Sequence, residues 1–519
     1  MWRSDNPRMK LSRVTRITFL LTGFFALDKV VGFVRQVVIA RQFGLSAELD
    51  AFNVANNLPD LLFALISGGA LALAFIPVLT EQLSRNGSSA AWDLFSKITN
   101  LAFLVTGALA IVVAFVAHPL VRWELGIAPG FNEQQQVLVT NLMRLNLFAT
   151  LIFSISGLVM AGLQANQHFL LPAIAPLLYN IGQIFGAVIL SPEQGYTIGP
   201  ITLPAMGLGV YGLVYGVIIG AVLHLGIQVP GLLKFKFHWT PGLGLKTEPV
   251  RKVLRLMGPR LATMFFIQLI FLVRDNLASR LEAGAVTALT YGWMLFQVPE
   301  TLIGTAIGTA LLPTLAEHVA LERREEFQQS IERAVRVLIA LTLPIAVILS
   351  FGLKPLLALA FGFDAAGTDL LMWVTRAYLA GLLGQSLVEV FARSFYARQN
   401  ALTPLAAAGF TLVLYILLGT QLYRVLGAAG ISLSDSIAFT AEAVLLLVLL
   451  NRKLIGSVKA GGSLLRAFLA AAASGAVVWL LMAWLAGQNP LLQSGVALTA
   501  GTLVAIPLVW PELRLILRL

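Results

Sequence analysis

Apolar stretches of about 20 residues recur along this chain from Ile17 to Trp510, each long enough to cross the ~30 Å hydrocarbon layer of a bilayer. Segments of this kind must satisfy their own backbone polar groups internally. The stretches lack the dyad alternation of a membrane barrel, which leaves helices. Fourteen spans are expected, at roughly 17–43, 49–80, 95–117, 136–163, 170–192, 206–233, 256–281, 285–316, 334–353, 367–397, 402–424, 427–451, 464–487 and 490–511. Only 12% of the residues are charged, against about a quarter in soluble domains. The fold class is therefore an all-α polytopic membrane protein with about 14 transmembrane helices.

The formal net charge of +11 is distributed as a topology signal and not as a nucleic-acid surface. Arginine and lysine gather in alternate connections, around Arg85 and Lys97, Lys234 to Arg255, Arg323 to Arg336, Arg398, and Arg452 to Lys459. By the positive-inside rule these connections and both termini are cytoplasmic. No basic run interleaved with aromatics appears, so no nucleic-acid partner is expected. The chain has no cysteine, which excludes disulfides, thiolate metal sites and a cysteine nucleophile. Residues 1–16 form a basic tail, and the segment after them is too long for a signal peptide and carries Asp28, Lys29 and Arg35. A retained first span is the reading.

The chain also repeats itself. Val34-Arg35 with Arg41 returns as Val273-Arg274 with Arg280, Pro59 as Pro299, Pro77 to Glu81 as Pro313 to Glu317, and Gln167 with Pro172 as Gln399 with Pro404, at offsets of 239, 240, 236 and 232. Six spans separate the copies, so both enter the membrane in the same direction, a parallel repeat of the kind used by alternating-access transporters. The organisation expected is a cytoplasmic tail (1–16), an N-terminal six-helix lobe (17–233), a basic linker (234–255) and a C-terminal six-helix lobe (256–452). A Gly-rich linker (453–463) then leads to two further transmembrane helices (464–519).

Chemistry-bearing motifs are few. No HExxH or Walker A sequence occurs, and the five histidines have no ligand spacing. The GxGxxG match from Gly207 to Gly212 opens a span with no strand before it. Gly212, Gly216 and Gly220 suit close helix packing instead, as do Gly304 and Gly308. The informative residues are charges at membrane depth, where even a lenient scale costs each about 2.5–3.5 kcal/mol unless it is paired or wetted. Asp28 and Arg35 lie about 20° apart around the first span with Lys29 on the same side. Arg274 and Asp275 sit in the seventh span, Arg376, Glu389 and Arg393 in the tenth, and Glu442 in the twelfth. These groups are either structural ion pairs or the lining of a polar cavity. Snorkelling accounts for Arg41, Arg280 and Arg393 at span ends. Pro59 and Pro299, with Gly304 nearby, are kink sites and hinge candidates.

With these residues in view, the sequence resembles the MurJ/MviN family of lipid II flippases, in the superfamily that includes MATE exporters. The matching stretches are VVGFVRQVVIARQFG from Val30, LDAFNVANNLP from Leu49 and AFIPVLTE from Ala74. Further on come GLQANQHFLLPAIAPLLYN from Gly162, GTALLPTLAE from Gly308 and FYARQNALTP from Phe395. The resemblance implies two pseudo-symmetric six-helix lobes about a cavity, plus a C-terminal helix pair. It also implies transport of a polyprenyl-pyrophosphate-linked peptidoglycan precursor to the outer leaflet of a bacterial inner membrane. It assigns substrate contact to Lys29 and Arg35, and an acid of the family motif to Asp50. The family's other basic positions fall on Phe63, Ala64 and Met294, and a nearby acid on Gln297. Arg274 and Asp275 stand where the family is uncharged. Either Arg274 replaces the missing cavity charge, or the cargo is another lipid-linked saccharide.

A pyrophosphate in a low-dielectric cavity calls for cations, so Lys29, Arg35 and Arg274 are the candidate binding residues. Asp28, Asp50 and Asp275 would hold those cations while the site is empty. The partners expected are the lipid-linked precursor and membrane lipids, for a chain acting as a monomer. No cofactor is expected, and a coupling ion is left open. The competing functions are a flippase for a different polyprenyl-linked saccharide, a MATE-like cation-coupled exporter of small molecules, and an assembly scaffold without transport. No nucleophile–base pair or metal cluster speaks for an enzyme.

Overall fold

The computed structural model describes residues 13–66, 69–452, 454, 456 and 458–516. Most of the basic tail, through residue 12, and three positions of the 453–463 linker lie outside the described residues. Apart from one two-stranded hairpin, Thr197–Ile198 with Ile201–Thr202, the regular structure is helical. Nine helices among the described residues are long and apolar enough to cross a membrane.

The chain divides into two compact units. The first comprises residues through Gln42, Leu58–Phe115 and Asn141–Gly258. It holds α1 (Arg13–Phe43) and most of α2 (Ala47–Ile66), α3 (Gly69–Arg122) and α4 (Glu133–Ala165). It also holds α5 (Leu170–Phe185), α6 (Val210–Gly226) and α7 (Val229–Lys234), and the start of α8 (Glu248–Ala278). A hydrophobic core surrounds Phe75, Trp92 and Phe95, with Phe237 edge-on to both Trp92 and Phe95. Glycines let α5 and α6 touch backbone to backbone. A Cβ at Gly182 would lie 2.4 Å from the Gly220 Cα, and one at Gly216 would lie 2.8 Å from the Gly186 Cα. The small-residue packing read from Gly212, Gly216 and Gly220 is the packing found.

The second unit comprises Phe43–Asn57, Val116–Thr140 and everything from Pro259. It thus gathers the rest of α8, α9 (Ala285–Glu300), α10 (Ala306–Ala320), α11 (Arg324–Gly352) and α12 (Lys354–Phe361). After these come α13 (Ala365–Leu379), α14 (Leu382–Ala397), α15 (Leu402–Asn451), α16 (Gly461–Trp484) and α17 (Pro490–Leu513). Two segments of the first sequence repeat, 43–57 and 116–140, belong to this unit, so the compact units differ from the lobes drawn at 17–233 and 256–452. The appended helices α16 and α17 pack on α11 through Ala340, Ile348, Ala470, Val478, Ala497 and Ala505.

The repeat is visible in backbone angles as well as residues. Gly44 and Gly284, 240 residues apart, both have positive φ. Gly209 and Gly427 share an unusual conformation (φ 53°, ψ −137° and φ 58°, ψ −138°), which only glycine adopts without strain. Gln167 and Gln399 both sit at φ 57° and close their helices with the same pair of hydrogen bonds. Gln167 N–H donates to Gln164 O and His168 N–H to Leu163 O; Gln399 N–H donates to Tyr396 O and Asn400 N–H to Phe395 O. This is the Schellman ending, with glutamine where glycine is usual.

Pro59 lies in α2, one residue past Leu58, where that helix passes from one unit to the other. Pro299 ends α9 against a five-residue π-helical turn, Thr301–Thr305. The irregularity expected at this proline therefore takes the form of a widened turn. Gly304 lies inside that turn, and a Cβ there would meet the Ser386 Cα at 2.9 Å. Its smallness serves close contact with α14.

Candidate functional site

In the first unit, α1 carries Asp28, Lys29 and Arg35 on one side, and α5 meets that side with Asn180. The Arg35 guanidinium donates to Asn180 Oδ1 at 2.8 Å, and Asn180 Nδ2 donates to Asp28 Oδ1 at 2.8 Å. The amide therefore joins the acid to the arginine across two turns of α1. Gly32 lies between them, with room for the amide beside it. Asn180 is buried while Lys29 is exposed. Lys29 makes no hydrogen bond or ion pair with the described residues. The result is a lysine open to a ligand beside an arginine whose direction is set by a buried amide.

Phe63, at one of the family's basic positions, packs against Phe153 with tilted rings 5.5 Å apart, and Phe153 meets Tyr179 and His224. An aromatic cluster fills the place of the expected charge. His224 in turn shares a buried polar set with Ser156 and Gln228.

In the second unit, Asp275 is fully buried and pairs with Arg274 at 2.7 Å, while Asn57 Nδ2 donates to its other oxygen at 2.6 Å. Arg274 is only 7% exposed, reaches Thr290, and lies 5.1 Å from the Phe271 ring. Arg274 is therefore held by a neighbouring carboxylate and a ring face.

Asp50 behaves differently from the reading that it secures a cation. Its carboxylate accepts from Gly284 N–H at 2.6 Å, Thr287 N–H at 2.8 Å and Thr287 Oγ1 at 2.6 Å. It caps α9 from another helix, answering the orphan amides and positive dipole of that N-terminus. Arg393 does not snorkel as expected; it is largely buried, pairs with Glu389 and donates to Thr309.

The sequence reading missed Asn180, Asn57 and Asn53, the last of which donates to Thr287 at 3.0 Å. The signal available was side-chain amides inside apolar helices, which have to find partners in lipid.

Helices at membrane length, a parallel repeat and polar clusters within those helices define a multi-pass membrane transporter. The fold is similar to a solved lipid II flippase MurJ in an inward closed conformation, with a TM-score of 0.77 at 20% identity over 96% of this chain and 100% of that one. It is also similar to an inward-facing MATE-family multidrug resistance transporter of the MOP superfamily, at 0.68 and 14% identity over 82% and 94%. The chain belongs to the lipid II flippase MurJ family, whose family model matches residues 39–497. The lipid II flippase MurJ of Burkholderia cenocepacia is 31% identical to it over 481 residues, 91% of this chain and 90% of that protein.

Proposed function

We propose that the chain flips lipid II, the polyprenyl-pyrophosphate-linked peptidoglycan precursor, from the inner to the outer leaflet of a bacterial cytoplasmic membrane by alternating access. Both termini face the cytoplasm, a reading the charge distribution supports, and the chain acts as a monomer without a cofactor. The observation that carries this reading beyond family membership is the arrangement on α1, with Lys29 exposed and Arg35 directed by Asn180. The pyrophosphate binds to these two cations while the polyprenyl tail stays in lipid. Asp28 holds Arg35 through the amide until cargo arrives. In the second unit, Arg274 needs to leave Asp275 before it can bind an anion. Pro59, where α2 changes unit, is the hinge candidate for the transport movement, and Pro299 with Gly304 the counterpart in the second repeat.

The test is complementation of a bacterium depleted of its own lipid II flippase. The parent chain restores growth, and Arg35→Ala, at equal membrane abundance, fails to. Growth restored equally by both would discard the α1 site. A second reading, another polyprenyl-linked saccharide, is favoured by the uncharged Phe63, Ala64 and Met294. It predicts that a well-inserted parent chain fails to rescue while headgroup-specific transport into vesicles is measurable for the other cargo.

A further inference from the structure

The second unit has a cavity of about 310 Å³ where the connection from α10 to α11 meets the ends of α14 and α15. The guanidiniums of Arg323, Arg324 and Arg398 line it, together with the His318 ring. One carboxylate, Glu322, faces it as well, so positive charge is in excess. The rest of the lining is apolar, from Val319, Phe327 and Leu454. Three separate stretches of chain, 318–327, 398 and 454, thus converge on one space.

The fold does not use up these polar groups. The side chains of Arg323 and Arg324 make no hydrogen bond or ion pair with the described residues. Arg398 lies over the buried Phe327 ring at 5.9 Å, a contact that orients its guanidinium. His318 Nδ1 is buried with no hydrogen-bond partner among the described residues. Nor do the connections themselves need the charges. The offset of 236 relates Pro77 to Pro313 and Pro119 to Pro355, and it matches Arg323 and Arg324 to Gly87 and Ser88. The offset of 232 that relates Gln167 to Gln399 matches Arg398 to Asn166. The first copy breaks its helix at Gly87 and makes the same Schellman ending at Gln167 with none of the three arginines.

An arginine cannot discharge itself by losing a proton, so the excess is answered by water or by an anion. A phosphate suits the cavity. Guanidinium forks pair bidentately with phosphate oxygens, and the volume is that of a small-ligand site. Basic pockets between the cytoplasmic ends of membrane helices also take lipid headgroups. We propose that this cavity binds a phosphate-bearing anion, held by Arg323, Arg324 and Arg398, from a lipid of the cytoplasmic leaflet or from solution. The inference is independent of lipid II transport, because Lys29 and Arg35 belong to the other unit.

The test has two arms, both on full-length protein in phosphatidylcholine nanodiscs. In one, a phosphatidylglycerol with a photoreactive group beside its headgroup is added, and the labelled peptides are identified. In the other, radiolabelled inorganic phosphate is titrated by equilibrium dialysis with no anionic lipid present. Saturable binding in at least one arm is expected, and the arm that binds names the source. The double variant Arg323→Gln with Arg324→Gln, and Arg398→Gln alone, should each weaken it roughly tenfold or more. Arg85→Gln, which removes an exposed arginine of the first repeat, leaves it unchanged. No saturable binding in either arm, or binding indifferent to these arginines, overturns the proposal. Should the variants melt early, the parent protein decides the matter. Lipid label between His318 and Phe327, or saturable phosphate binding that arginine-blocking phenylglyoxal abolishes, supports the site. Label confined elsewhere with no phosphate bound removes it.

Discussion

The two-turn bridge on α1 depends on a single amide. Asn180 donates to Asp28 and accepts from Arg35, so Asn180→Leu removes both bonds at once. A lost hydrogen bond to a charged group is worth about 1.5–3 kcal/mol. The expected outcome is a protein that inserts normally but transports lipid-linked cargo at least tenfold more slowly, while Asn180→Gln retains part of the rate. A vesicle flipping assay reads this directly, and an unchanged rate would show that the bridge has no part in transport. Asp28, Lys29 and Arg35 were legible in the sequence because a charge inside an apolar span is conspicuous. Asn180 and Asn57 were not, because a neutral amide can pair with donors and acceptors alike and does not announce its partner. Asp50 was legible as an acid, but two of its three donors are backbone amides, which leave no trace in side-chain identity.

At the scale of helices, the prolines and the glutamine–proline anchors of the repeat mark the ends and irregular turns. Gln167 and Gln399 each hold a left-handed conformation at a Schellman ending, which disfavours a side chain by roughly 1–2 kcal/mol, offset in part by the entropy glycine loses. Gln167→Gly and Gln399→Gly should each raise the thermal midpoint in detergent by a small amount, equivalent to up to about 1 kcal/mol. A fall in the midpoint would mean that the glutamine side chain itself holds the connection. The cap on α9 works in the opposite sense. Asp50→Ala strips acceptors from Gly284 N–H, Thr287 N–H and the Thr287 hydroxyl. Its cost should reach about 2 kcal/mol, the top of the range for capping residues, and appear as a lowered midpoint with faster amide exchange at the start of α9. Unchanged exchange there would place the worth of Asp50 elsewhere. Which helices exist could be read from hydropathy. That Pro299 would yield a π-turn could not, because the choice between a kink and a widened turn rests on how close α14 comes to Gly304.

At the scale of the whole molecule, one acid ties the appended helices to each other and to Arg336 of α11, beside their apolar contact with that helix. Glu512 is fully buried and takes bonds from Arg466 and Ser463, with Arg336 at 3.7 Å. Both arginines keep over a third of their side-chain surface, so solvent softens the loss when the acid is removed. Glu512→Ala should therefore loosen α16 and α17 from α11, making them sensitive to protease, while the rest of the chain melts as before. A global loss of the fold would show that the pair is a cornerstone and not an attachment. The sequence disclosed the appended pair and the parallel repeat, since both are patterns of apolar length and local motif. It did not disclose that 43–57 and 116–140 join the second compact unit, because that membership is decided by contacts across more than two hundred residues.

That membership has a consequence in time. Asp50 leaves the ribosome 234 residues ahead of Gly284, the amide it caps. At about 5–20 residues per second, this carboxylate waits on the order of 10–50 s for the helix that donates to it to be made. During that interval the first half of the chain is already in the membrane with a buried acid unanswered, and the insertion machinery or neighbouring water has to shelter it. Synthesis in two halves would prolong the wait until the pieces meet, so a split chain should depend on rapid encounter far more than its neat internal repeat suggests.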